Sequence, residues 1–135
     1  MRTPVIVASI SLLFGGCNAA VSANPDDYYA PKLLSDEKLL TFVIPVEIDE
    51  RAGKKSFVKL FELYGFSGNG PSIEQVVKHN VPRIAGRFDS EGDAFVLIVS
   101  SRSDFEATRT KLRCVEDVKC LSNWLAGAKS ILLKE

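Results

Sequence analysis

Ala94-Phe95-Val96-Leu97-Ile98-Val99 is a continuous apolar run bounded on both sides by polar residues. A run of that length suits a strand at the centre of a sheet. Leu39 to Ile48 is rich in β-branched and aromatic residues and predicts a second strand. Pro45 lacks an N–H, so this strand is expected at an edge or at a bulge. Asp49 to Lys55 is polar, contains Gly53 and reads as a turn. Beyond it, Phe57, Lys59, Phe61 and Leu63 alternate with Val58, Leu60, Glu62 and Tyr64. That pattern is read as a further strand, apolar on much of both faces, which closes a hairpin.

Gly65 to Pro71 interrupts the pattern, and Ser72 with Gln75 three positions on predicts a capping box. Ile73, Val76 and Val77 fall on one face of the helix that follows. Pro82 stops it near His79-Asn80. Arg83 to Phe88 is read as a strand and Asp89 to Asp93 as a turn. Ser103 with Glu106 suggests another capping box, and Phe105, Thr108 and Leu112 are spaced for one helix face reaching about Cys114. Asp117 opens a last helix carrying Leu121, Trp124 and Leu125, with Gly127 as its stop. Phe105 and Trp124 are read as core residues. Ile131-Leu132-Leu133 is read as a short final strand. The order ββαββααβ implies an α+β two-layer sandwich: a mostly antiparallel sheet of about five strands with helices on one face. No internal repeat is apparent.

The start of the chain has a different pattern. Met1 and Arg2 lead into an apolar stretch, Val5 to Phe14, followed by Gly15-Gly16-Cys17. A positive start, a short apolar run and small residues describe a secretory signal peptide. The run falls short of the ~20 residues needed to span a bilayer. Phe14-Gly15-Gly16-Cys17 resembles the lipobox of bacterial lipoproteins, departing from it at Phe14, where Leu is usual. The resemblance covers the leader only. It implies cleavage before Cys17, lipidation of that cysteine and, with Asn18 next, sorting to the outer membrane facing the periplasm. The other cleavage site, after Val21-Ser22-Ala23, releases a soluble periplasmic or secreted chain that starts at Asn24. The expected organisation is a signal peptide over 1–16, a tether or irregular leading segment over 17–37 and one globular domain over 38–135.

Composition adds mainly exclusions. Lys and Arg number 17, as do Asp and Glu. Removing the leader takes Arg2 and leaves one more acid than base. No basic footprint suggests nucleic acid, and no polybasic face suggests lipid head groups. Three cysteines are present, and either cleavage removes Cys17 from disulfide chemistry. Cys114 and Cys120 then form an even pair in an oxidising compartment and are expected to bond. Two thiols without a nearby His do not make a zinc site, and their spacing is not the redox C-x-x-C.

His79, the sole histidine, has no nucleophile motif beside it, so no catalytic residue is assigned. Asp89, Glu91 and Asp93 surround Gly92 without the full calcium-loop pattern. Gly65, Gly68 and Gly70 match neither phosphate-binding glycine pattern. No metal or cofactor is assigned. The same loop offers Phe66 and Asn69 as partner contacts, and the leading segment offers Tyr28 and Tyr29. The expectation is a non-enzymatic, lipid-anchored envelope protein that binds an unidentified envelope protein, as an inhibitor, immunity factor or accessory part. The alternatives are a periplasmic binder of small molecules or peptidoglycan fragments, through Gly65–Pro71 or Arg83–Arg87, and a soluble secreted protein.

Overall fold

The computed structural model describes residues 24–132. Cys17, the lipobox-like tetrapeptide, both cleavage sites and Leu133 lie outside the described residues. The fold is α+β, with a four-stranded antiparallel sheet. Its strands are β1 (Leu34–Asp36), β2 (Thr41–Pro45), β3 (Arg87–Phe88) and β4 (Ala94–Ile98). They are ordered β1-β2-β4-β3. Four helices accompany them: α1 (Phe57–Leu63), α2 (Gly70–Asn80), α3 (Arg102–Leu112) and α4 (Val118–Leu132).

Both central strands alternate buried and half-buried residues, as one covered face dictates. Phe42, Ile44, Phe95 and Leu97 point into the core, where they meet buried side chains of all four helices. Phe42 stacks on Phe105 of α3 with ring centroids 4.6 Å apart. The buried Tyr64 and Ser122 hydroxyls hydrogen-bond at 2.9 Å and tie the end of α1 to α4. The other sheet face, with Val43, Val96 and Ile98, is only half-buried.

The chain is built twice over. Residues 34–80 run hairpin, helix, helix, and residues 87–132 repeat that order. A constant offset carries Asp36 onto Asp89, Phe42 onto Phe95, Val43 onto Val96 and Val46 onto Val99. Val43 pairs with Val96 at the centre. The flanking bonds mirror each other: Val46 N–H donates to Asp93 O at 3.0 Å and Val99 N–H to Leu40 O at 2.9 Å. The repeat escapes a reading of the sequence because its signal is confined to one short strand motif.

Several expected elements are corrected. The run expected as the second strand is helical over Phe57–Leu63. Phe57, Val58, Leu60 and Phe61 are all buried, a spacing that suits one helix face, and the Ser56 side chain accepts the Val58 N–H at its start. A short apolar run does not distinguish the two periods by itself. The predicted final strand is the end of α4, which continues through Gly127 to Leu132. A glycine inside a helix costs only ~1 kcal/mol, and Leu121, Leu125 and Ala128 offset that by burial. The sheet therefore has four strands, and the Arg83–Phe88 strand shrinks to Arg87–Phe88.

β2 is an interior strand, contrary to the reading of Pro45. The proline is tolerated because β1 begins only opposite Val43, so position 45 pairs only with Ala94. The true caps precede the predicted ones. Asn69 accepts from Ser72 N at 2.9 Å, and Ser101 accepts from Asp104 N at 3.1 Å. Finally, the leading segment is bound into the fold: Leu34–Asp36 supplies an edge strand, and Tyr28 forms a parallel bridge with Lys55.

Candidate functional site

Strand β2 does not run directly into its helix. Residues 46–56 bulge outward before Ser56 caps α1, and Ser56 is held inside by donating its hydroxyl to Glu47 O. The leading segment lies alongside: Tyr29 N–H donates to Lys55 O and Lys55 N–H to Asp27 O, both at 2.9 Å. Between these segments and α1 opens a groove of about 520 Å³. Tyr28 and Leu63 give it apolar surface, and Ile48, 70% exposed, stands at its side. Its rim alternates in sign, with Lys55 and Lys59 against Glu50 and Glu62. The Lys59–Glu62 pair at 3.7 Å is solvent-exposed and contributes little to stability. The rim charges are therefore available to steer and orient a partner.

The four residues that the sequence offers as partner contacts also serve the fold. Phe66 is 4% exposed and packs edge-on to Phe61, with ring centroids 6.5 Å apart. It is a core residue, because the loop folds back over α1: a Cβ on Gly68 would meet the Val58 side chain at 2.9 Å. Asn69 spends its side chain capping α2. Tyr28 is 6% exposed yet contributes to the groove, with Lys55 Nζ 5.9 Å from its ring centre. Tyr29 is half-buried, donates its hydroxyl to Asp49 O and lies under the Arg51 guanidinium at 4.6 Å. Of the four, only Tyr28 reaches the groove. The sequence reading missed Ile48, whose signal was an isolated large apolar residue between Glu47 and Asp49-Glu50.

Two further concavities lie at the stretches that the sequence offers for small-ligand binding. One, of about 420 Å³, borders Gly65 to Gln75. The other, of about 450 Å³, brings Val81, Pro82 and Arg83 together with Lys111 and Trp124. His79 sits in the last turn of α2. Asp89, Glu91 and Asp93 lie exposed around the β3–β4 turn, which is closed by paired hydrogen bonds between Glu91 and Ala94. Among the described residues, no group of three or more His, Cys, Asp or Glu is placed to hold a metal ion. No helix among them is long and apolar enough to cross a membrane.

Cys114 and Cys120 are bonded to each other, with their Cα atoms 5.3 Å apart. The bridge spans the junction where α3 passes through a 3₁₀ turn (Arg113–Glu116) into α4. Asp117 caps α4 by accepting from Lys119 N and Cys120 N.

Comparison with known proteins yields no match: no family model, no curated protein and no solved structure is similar to this chain.

Proposed function

We propose that this protein is exported, held on the bacterial envelope by a lipid on Cys17, and acts there as a non-enzymatic protein-binding module. The observation that carries the location is the fate of the cysteines. Cys114 and Cys120 are joined to each other, which suits an oxidising compartment. Cys17 is then the odd cysteine, directly after an apolar leader. Acylation of that cysteine would anchor the chain, at ~0.8 kcal/mol per buried methylene.

Support for protein binding comes from the groove beside α1. Exposed Ile48 next to Tyr28 and Leu63, rimmed by charges of both signs, has the composition of an interface patch. The inhibitor, immunity or accessory role belongs to the same proposal and depends on the partner.

The experiment is an intact mass, with N-terminal peptide mapping, of protein isolated from membrane and soluble fractions without reductant. The expected species is membrane-bound, acylated at Cys17, and lighter by two hydrogens until reduced. A soluble chain starting at Asn24 overturns the anchor. Crosslinking from position 48 then tests binding: a stoichiometric adduct is expected, and none forms if the groove is not an interface.

A further inference from the structure

The groove where the end of α2 meets α3 and α4 has a charge that the composition conceals. Residues 75–88 contain no acidic side chain but carry Lys78, His79, Arg83 and Arg87. Residues 107–115, the end of α3 and the turn after it, contain none and carry Arg109, Lys111 and Arg113. Residues 118–132, all of α4, contain none and carry Lys119 and Lys129. These three acid-free stretches meet at one place. There, Val81, Pro82 and the half-buried Trp124 form an apolar floor flanked by Arg83 and Lys111.

Lys78 and Arg109 are paired with Glu74 and with Glu37 and Glu106. Arg83 and Lys111 have no carboxylate partner among the described residues. The walls are fixed to each other: Asn80 Nδ2 donates to Val76 O at 2.8 Å and to Trp124 O at 3.3 Å.

We propose that this groove binds an acidic peptide segment of a partner protein, with an apolar side chain against Trp124 and carboxylates on Arg83 and Lys111. The inference rests on the protein-binding reading and adds a second contact to it, with its own chemistry. An apolar floor beneath two unpaired cations lowers the local dielectric, which strengthens a carboxylate contact relative to open water. A Trp in a rigid depression is a favoured anchor position at interfaces. At about 450 Å³ the groove accommodates a few side chains. A simple anion leaves the indole floor unused.

Trp124 is the only tryptophan in the chain, so its emission reports on this groove alone. The test is selection of a displayed random-peptide library on the leader-free full chain, followed by titration of a synthetic winner against Trp124 emission. The expected winners are rich in Asp and Glu around an aromatic or aliphatic residue. They shift Trp124 emission and weaken roughly tenfold or more in the Arg83→Glu/Lys111→Glu variant, with a similar loss as salt rises through the physiological range. Arg83→Gln/Lys111→Gln, checked for native circular dichroism, gives a smaller loss and guards against misfolding. Winners without acidic bias, or binding that survives charge reversal, overturn the proposal. So does a Trp124 response to phosphatidylglycerol vesicles or to inorganic phosphate in the absence of any peptide response. If a crosslinked partner at position 48 still binds the charge-reversed variant, this second contact fails while the protein-binding reading stands.

Discussion

The two halves of the molecule share a plan and differ in one junction. In residues 87–132, β4 passes through Val99 and Ser100 straight into the Ser101 cap of α3. In residues 34–80, the equivalent passage takes residues 46–56, and α1 is a helix of only 7 residues. The second half is closed covalently by Cys114–Cys120, whereas the first relies on Phe57, Leu60 and Phe61 being fully buried. The difference is instructive about function. The shared elements make the core, and the groove at Ile48 arises where the first half departs from the second. The Trp124 groove lies beside the connection that joins the two halves. A packed sheet leaves little freedom for a binding surface, so variation accumulates in the connections.

The comparison is tested most strongly at its shared centre. Phe42→Ala and Phe95→Ala remove equivalent fully buried rings, and each is expected to cost about 3–5 kcal/mol in urea unfolding. A several-fold disparity between the two would break the equivalence of the halves. Next is the covalent closure. Replacing Cys114 and Cys120 by Ser opens a short loop and is expected to cost about 2 kcal/mol. Reducing the wild-type protein should reproduce that loss in a thermal melt.

A smaller effect separates the two caps. Ser101→Ala removes one part-buried capping bond and should cost about 1 kcal/mol. Ser56→Ala also removes the Ser56 hydroxyl from Glu47 O, which keeps the Tyr29 hydroxyl at 3.3 Å, so a loss of about 1–2 kcal/mol is expected. Equal losses would show that the long junction adds no structure of its own. The smallest effect has the opposite sign. Gly127 stands in open space inside α4, so Gly127→Ala should stabilise by about 0.5–1 kcal/mol. Destabilisation would mean that α4 ends where the sequence alone suggests.

Much of the fold is legible from periodicity. The strands of β2 and β4, the helical faces of α2 and α3 and the Cys114–Cys120 pairing follow from local pattern and from chemistry that needs no tertiary context. The failures share a cause. Residues 57–64 form a run too short to separate a period of two from one of 3.6, and the Ser56 cap with burial of Phe57, Val58, Leu60 and Phe61 in the core favours the helix. Gly127 signals a stop locally, but the buried faces of Leu121, Leu125 and Ala128 carry the helix through it. Phe66 sits in a glycine-rich loop that resembles an exposed one until it folds over α1.

By itself, the order of residues determined the apolar centre of the sheet, the α+β class and the even pair of cysteines, because each depends on short-range pattern or on composition. Only the tertiary structure decided that the hairpin-and-helices unit occurs twice, that Ile48 stands beside an apolar groove, and that Arg83, Lys111 and Trp124 meet. Those residues are far apart in the chain, and their charges cancel in the total. Proximity in space, which no linear pattern encodes, is what turns a neutral composition into a charged groove.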